Sequence, residues 1–279
     1  MSELADEHDL RLLNSNSNVK QLLYKFLKSR GQGISPHTIL FYKRCLRRLI
    51  ASYELTSEGI NTFLTNLSCN NGGELAYYRA IRAFCNWLVR SDYIKDNPIK
   101  KVDPPKPGKP LLPSLTAKQV NYLIEYVDSL RDKAIISLLA DSGMRLNELT
   151  DIKAYDIDCA NYTITIWGKG NKWRKAPFTE KTARLLRELI SQNGTGEYIW
   201  HMKPRVIQNM LLELAKRTSL PCNSHIFRRG FACNLHRKGL STLDIMHLGG
   251  WSDLSMVLRY TRSITFDDCL KHYREVEIH

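Results

Sequence analysis

Six side chains in the second half of the chain have the types needed to act on a phosphate ester. They are Arg145 in SGMRLNEL, Lys169 in WGKGNKWRKAP, His225 and Arg228 in HIFRR, Trp251 in LGGWSD and Tyr260 in LRYT. A guanidinium presents a rigid fork of N–H donors, so two arginines can clamp one phosphoryl group. Lysine and histidine can move protons, and a tyrosine hydroxyl can attack phosphorus. Each fragment taken singly also has an ordinary explanation. Arg145 with Glu148 three residues on is a common helical ion pair, and Lys169 is a basic residue at a glycine-flanked turn. His225 and Arg228 have the spacing of helical neighbours, with Arg229 off that face, and most of the thirteen tyrosines must be half-buried packing residues.

The rest of the chain has to bring these pieces together. At 279 residues there is room for one large domain or two ordinary ones, and 43% hydrophobic with 25% charged residues describes a globular protein. Lys and Arg outnumber Asp and Glu by 41 to 28, a formal charge of +13, which points to a polyanionic partner with nucleic acid foremost. A basic surface serving solubility is the alternative. The cysteines at 45, 69, 85, 159, 222, 233 and 269 contain no Cys-x-x-Cys pair, so neither a zinc site nor a disulfide framework is expected. The opening MSELADEHDLRLL lacks an apolar signal core and no later run approaches a membrane span, so the expected location is cytoplasmic, with no membrane partner.

Five of the ten prolines fall between 104 and 113, where missing amide donors oppose both helix and central strand. Residues 100–113 are therefore expected to be a linker. Its Lys100, Lys101, Lys106 and Lys109 suit either phosphate contacts or simple solvation. Four helical patterns precede it, making residues 17–99 an all-α domain after an N-terminal extension at 1–16. Ser35-Pro36 is a helix start, followed by Ile39, Tyr42, Leu46, Leu49 and Ile50 on one side and Lys43, Arg44, Arg47 and Arg48 on the other. From about Glu74, Tyr78, Ile81, Cys85 and Leu88 face inward while Arg79, Arg82 and Arg90 face outward. Two basic helix faces in one small domain suggest a DNA clamp; either face alone is better read as an ordinary solvated surface.

After the linker, Thr116 and Gln119 form a capping-box pattern before an apolar helical stretch, and a second follows through Leu139. YTITIW and WRKAPF, separated by a Gly-Lys-Gly-Asn turn, read as a short β-hairpin. Helical patterns return at 179–191, 204–218 and 225–238. The fold class is mainly α, with a mostly helical second domain carrying a small antiparallel sheet.

Taken jointly, Arg145 in SGMRLNEL, the Gly-Lys-Gly-x-Lys-x-Arg run, His-x-x-Arg, and Leu-Gly-x-Trp with Tyr nine residues beyond Trp251 resemble, in order and spacing, the tyrosine recombinase (phage integrase) family. The resemblance is strong from about 112 to 265 and looser over the helical region before it. It implies a core-binding domain at 17–99, a catalytic domain at 114–265 and a tail at 266–279 that packs on a neighbouring protomer or on its own chain. It also implies DNA cleavage by Tyr260, with Tyr273 a distant second, through a 3′-phosphotyrosyl intermediate. Arg145 and Arg228 would stabilise the transition state, His225 would handle the proton, and Lys169, with Lys172 as rival, would protonate the leaving oxygen. Glu148 would brace the site, and Trp251, where many members have His, would position by its N–H because indole cannot accept a proton. Lys172 and Arg174 join the basic helix residues as DNA-contact candidates. The implied partners are double-stranded DNA with inverted-repeat sites and a homotetramer on two such sites, with no cofactor or metal. The short extension points to a simple Xer-like or transposon-type member. Two alternatives share parts of the pattern: type IB topoisomerase-like relaxation and a non-catalytic helical DNA-binding regulator.

Overall fold

A computed structural model of the chain describes residues 16–106, 108, 112–168, 172–193 and 197–275. The backbone divides into two compact units, Met1–Pro110 and Leu111–His279.

The first unit holds helices α1 (Asn16–Ser29), α2 (Pro36–Ser52), α3 (Ser57–Thr65) and α4 (Asn71–Arg90). Helix α2 starts as its sequence suggests: Ser35 caps it by accepting from the Thr38 N–H at 3.3 Å, and Pro36 takes the first turn, where no amide donor is needed. Phe26, Leu46, Leu49, Ile81, Phe84 and Leu88 are fully buried between α1, α2 and α4. The packed core runs on to Ile99 and Val102, within and just after a 3-10 turn at Pro98–Lys101.

In the second unit, Thr116 and Gln119 form the reciprocal capping box that opens α5 (Ala117–Tyr126). Helix α6 (Leu130–Ser142) buries Ala134, Ile135, Ile136, Leu138 and Leu139, more than one face, because helices pack on it from several sides. It ends at Gly143, whose φ of +56° is the left-handed conformation that terminates helices. A five-residue helix α7 (Leu146–Thr150) leads to the sheet, β1 (Ile157–Asp158), β2 (Thr163–Gly168) and β3 (Lys172–Pro177), antiparallel throughout. The hairpin expected from the sequence is β2–β3; the two-residue β1, too short to show periodicity, extends it. Helices α8 (Glu180–Asn193), α9 (Pro204–Thr218), α10 (Ser224–His236), α11 (Thr242–Gly249), α12 (Leu254–Tyr260) and α13 (Phe266–Glu275) complete the unit. The mainly α reading with one small antiparallel sheet holds. Among the described residues no helix is long and apolar enough to cross a membrane.

Candidate active site

Arg145 stands at the N-terminus of α7, where the turn after Gly143 releases it from the apolar α6. Glu148, one turn on, is buried and accepts twice from it: the Arg145 backbone N–H reaches Oε2 and Nη1 reaches Oε1, both at 2.7 Å. A third donor comes from β3, where Arg174 Nη2 lies 2.9 Å from Glu148 Oε2. Burial by itself would raise the Glu148 pKa, but the Arg174 charge and the hydrogen bonds from Arg145 and Arg174 outweigh it and hold the carboxyl below its usual range. Glu148 is therefore an anchored carboxylate, and Arg145, its side chain 38% exposed, still has donors facing outward.

Arg228, on α10, is buried and donates through Nη1 to the Gly143 carbonyl. Its guanidinium carbon sits 4.1 Å from the centroid of the Trp251 ring. Trp251, just after α11, meets Phe231 at 6.2 Å and stands edge-on to Tyr260 at 5.7 Å between centroids. Tyr260, the last residue of α12, is half-buried, and its carbonyl accepts from Cys233 Sγ at 3.2 Å. A small core of Phe231, Ala232, Ile245, Trp251 and Val257 holds α10, α11 and α12 together and so fixes Arg228 relative to the tyrosine.

His225 lies on the first turn of α10 and is exposed, whereas the neighbouring Ile226, Phe227 and Arg228 are buried. Partial burial and the charges of Arg229, Arg228 and Arg145 push its pKa down, so the imidazole is neutral near pH 7 and able to accept a proton. Burial first, then Arg145 and Arg174, lower Arg228 to about 10, still protonated at neutral pH; Glu148 and Tyr260 act in the opposite sense. These mutual influences place Arg145, Glu148, Arg174, His225, Arg228 and Tyr260 in one electrostatic neighbourhood. Such a cluster can bind a tetrahedral or trigonal-bipyramidal phosphoryl group and take a proton from a nucleophile.

Of the residues singled out in the sequence, Lys169 lies outside the described residues. Lys172 opens β3. Arg174, expected as a DNA contact, points inward, its side chain 15% exposed and paired with Glu148. Arg44, Arg47, Arg79 and Arg82 are exposed on α2 and α4 and Lys43 is half-buried, whereas Arg48, also exposed, leans on Tyr77, donating to its hydroxyl at 3.4 Å. Sequence reasoning missed the Gly143 carbonyl and the Cys233 thiol, which have no motif signature. Arg229, off the His225 face in the helical pattern, is nevertheless close enough to Tyr260 for the two to interact. Tyr273, on α13, is exposed. Among the described residues no group of three or more His, Cys, Asp or Glu side chains is gathered where it could hold a metal ion.

Comparison with known proteins gives a consistent picture. Residues 113–265 match the sequence profile of the phage integrase family. The XerC tyrosine recombinase of Bacillus licheniformis is 32% identical over 205 residues, 65% of this chain and 67% of its own. The XerD tyrosine recombinase of Halalkalibacterium halodurans is 29% identical over 280 residues, 88% of this chain and 93% of its own. In fold, the chain is similar to the Tn1549 transposon integrase solved with a circular intermediate DNA, with a TM-score of 0.73 at 18% identity over 92% of this chain and 98% of the integrase.

Proposed function

This chain belongs to the phage integrase family, and on that premise we propose how its clustered arginines, histidine and tyrosine carry out DNA strand exchange. The enzyme is a tyrosine recombinase that acts in site-specific recombination. Tyr260 Oη attacks the scissile phosphorus, the bond to the 5′ oxygen breaks, and a 3′-phosphotyrosyl linkage forms. His225, neutral at working pH, takes the tyrosine proton. Arg145 and Arg228 hold the non-bridging oxygens as charge builds on them, a task suited to fixed guanidinium forks. Lys169, with Lys172 as the nearby alternative, gives a proton to the departing 5′ oxygen. Rejoining is the reverse, a 5′-hydroxyl attacking the phosphotyrosine, so the energy of the broken linkage is retained and neither nucleotide hydrolysis nor a metal is called for.

The observation that carries this reading is the buried Arg228 stacked on Trp251, which itself abuts Tyr260. A regulator touching backbone phosphates has no need to bury a guanidinium against the ring that positions a tyrosine. A core-binding domain at 17–99 contributes basic helix faces to duplex DNA, and residues 100–113 join it to the catalytic part, 114–265. Binding is to double-stranded DNA sites of inverted-repeat form, with four protomers on two sites. Helix α13 supports an exchange between protomers, because its Phe266 and Tyr273 are 78% and 63% exposed on the single chain. The place of action is the cytoplasm, on DNA.

The test is recombination between two copies of a site selected by the protein from random-sequence DNA and cloned on one supercoiled plasmid. Deletion or inversion between the sites is expected. Relaxation of a plasmid without any site would favour topoisomerase action, and binding without strand exchange or covalent linkage would favour a regulator.

A further inference from the structure

We propose that Arg174 is a positioning residue for strand cleavage, gripping Glu148 from the sheet so that this carboxylate holds Arg145 in place at the scissile phosphate. The inference rests on the recombinase reading above and assigns a role within it that the motif residues leave open.

The first support is register. In β3, Ala176 is buried and Arg174 nearly so, while Trp173 and Lys175 are exposed, as the alternation of a strand requires. Arg174 stands opposite the buried Ile166 of β2, so its side chain emerges on the core face of the hairpin. Its Nε and Nη1 are buried with no acceptor within the described chain.

The second support is the way Glu148 is shared. Its Oε1 serves the Arg145 guanidinium, while Oε2 accepts from both the Arg145 backbone N–H and Arg174 Nη2. Two arginines, one from α7 and one from β3, thus share one buried carboxylate. Without Arg174, only Arg145 holds the carboxylate, through its backbone N–H and Nη1, and nothing ties the pair to the sheet, so both can shift together. A buried polar network with one member missing loses its geometry as well as its energy.

The third support is Gly250. Its φ is +63°, a left-handed conformation, and a Cβ built there would collide with Arg174 Cδ. The turn that delivers Trp251 is therefore moulded around the Arg174 side chain. One side chain thus touches the helix of Arg145, the β2–β3 hairpin and the turn before Trp251.

The experiment measures single-turnover cleavage of a nicked suicide duplex carrying a site selected from random DNA, alongside binding to the same site at several salt concentrations. Arg174→Gln is expected to slow cleavage about 10²-fold, the scale for slight misplacement of a catalytic group, with affinity and salt slope unchanged. Arg174→Lys, which keeps the charge and one donor, should recover part of that loss. It also carries the test if Arg174→Gln no longer binds DNA. In a Glu148→Gln background, Arg174→Gln should add little further loss, because the two act through one hydrogen-bonded pair. A direct phosphate contact predicts instead a salt slope smaller by about 0.9 and weaker binding, and that result overturns the proposal. So do wild-type cleavage rates in Arg174→Gln, or full additivity with Glu148→Gln. Cleavage by the unmodified enzyme and its loss in Tyr260→Phe test the recombinase reading separately.

Discussion

Arg228 and Trp251 form a buried stack, guanidinium carbon to ring centroid 4.1 Å, and Tyr260 stands edge-on to the same indole at 5.7 Å. Trp251 therefore sets the distance between the arginine and the tyrosine. A desolvated cation–π contact contributes on the order of 2 kcal/mol, enough to hold a guanidinium in one orientation. Trp251→Phe keeps a ring in the stack and should cost little stability, whereas Trp251→Ala opens a cavity beside Phe231 and should cost about 3–5 kcal/mol. Thermal melts read the stability, and cleavage should fall more in the alanine variant than its remaining folded fraction explains.

Gly143 holds the other end of Arg228. Its carbonyl accepts from that guanidinium, its φ is +56°, and a Cβ would come within 2.6 Å of the Phe231 ring. Gly143→Ala should destabilise by at least about 1–2 kcal/mol from the left-handed backbone before any displacement of Phe231. Slower cleavage with unchanged DNA affinity is expected, since Arg228 moves while the exposed basic residues do not.

The pH dependence follows from His225. Its folded pKa is depressed, so between that value and the unfolded value of about 6.5 the unfolded chain binds more protons. Its contribution to stability is therefore lost as pH falls below about 6.5 and recovered as pH rises. Activity has the same sense, because imidazolium cannot accept the tyrosine proton. The cleavage rate should fall as the medium is made acidic, and that fall should vanish in His225→Gln, which can be checked by single-turnover rates at constant ionic strength.

Arg44, Arg47, Arg79 and Arg82 are exposed on α2 and α4. Replacing all of them with alanine should weaken DNA binding and flatten its salt dependence by about 0.9 in log–log slope for each phosphate that is no longer neutralised. Arg48→Ala should change the slope less, because that guanidinium already donates to the Tyr77 hydroxyl. Equal slopes for wild type and the quadruple variant would remove this face from the DNA interface.

Much of the molecule is legible in the sequence where local spacing decides geometry. The Thr116 capping box, the Ser35-Pro36 start and the Arg145–Glu148 pair all form within one helical turn, so their residues meet whatever the rest of the fold does. Arg174 is not legible, because a strand's inward and outward faces exchange with a one-residue shift in register, and WRKAP offers a basic side chain on each face. The need for glycine at 249 and 250 is equally hidden. A Cβ on the first would overlap the Trp251 ring, and one on the second would meet Arg174, an element far away in sequence. The Gly143 carbonyl is invisible for a related reason: any residue has a carbonyl, and only the fold brings this one to Arg228.

The assignment of Tyr260 as the nucleophile is central, and a nicked suicide duplex tests it most directly. On a site bound by the protein, cleavage lets the short 5′-hydroxyl fragment diffuse away and traps a covalent protein–DNA adduct at the 3′ phosphate. A denaturing gel should show that adduct with the wild-type chain and none with Tyr260→Phe at equal DNA occupancy. An adduct that persists in Tyr260→Phe, or that forms instead through Tyr273, would contradict the assignment.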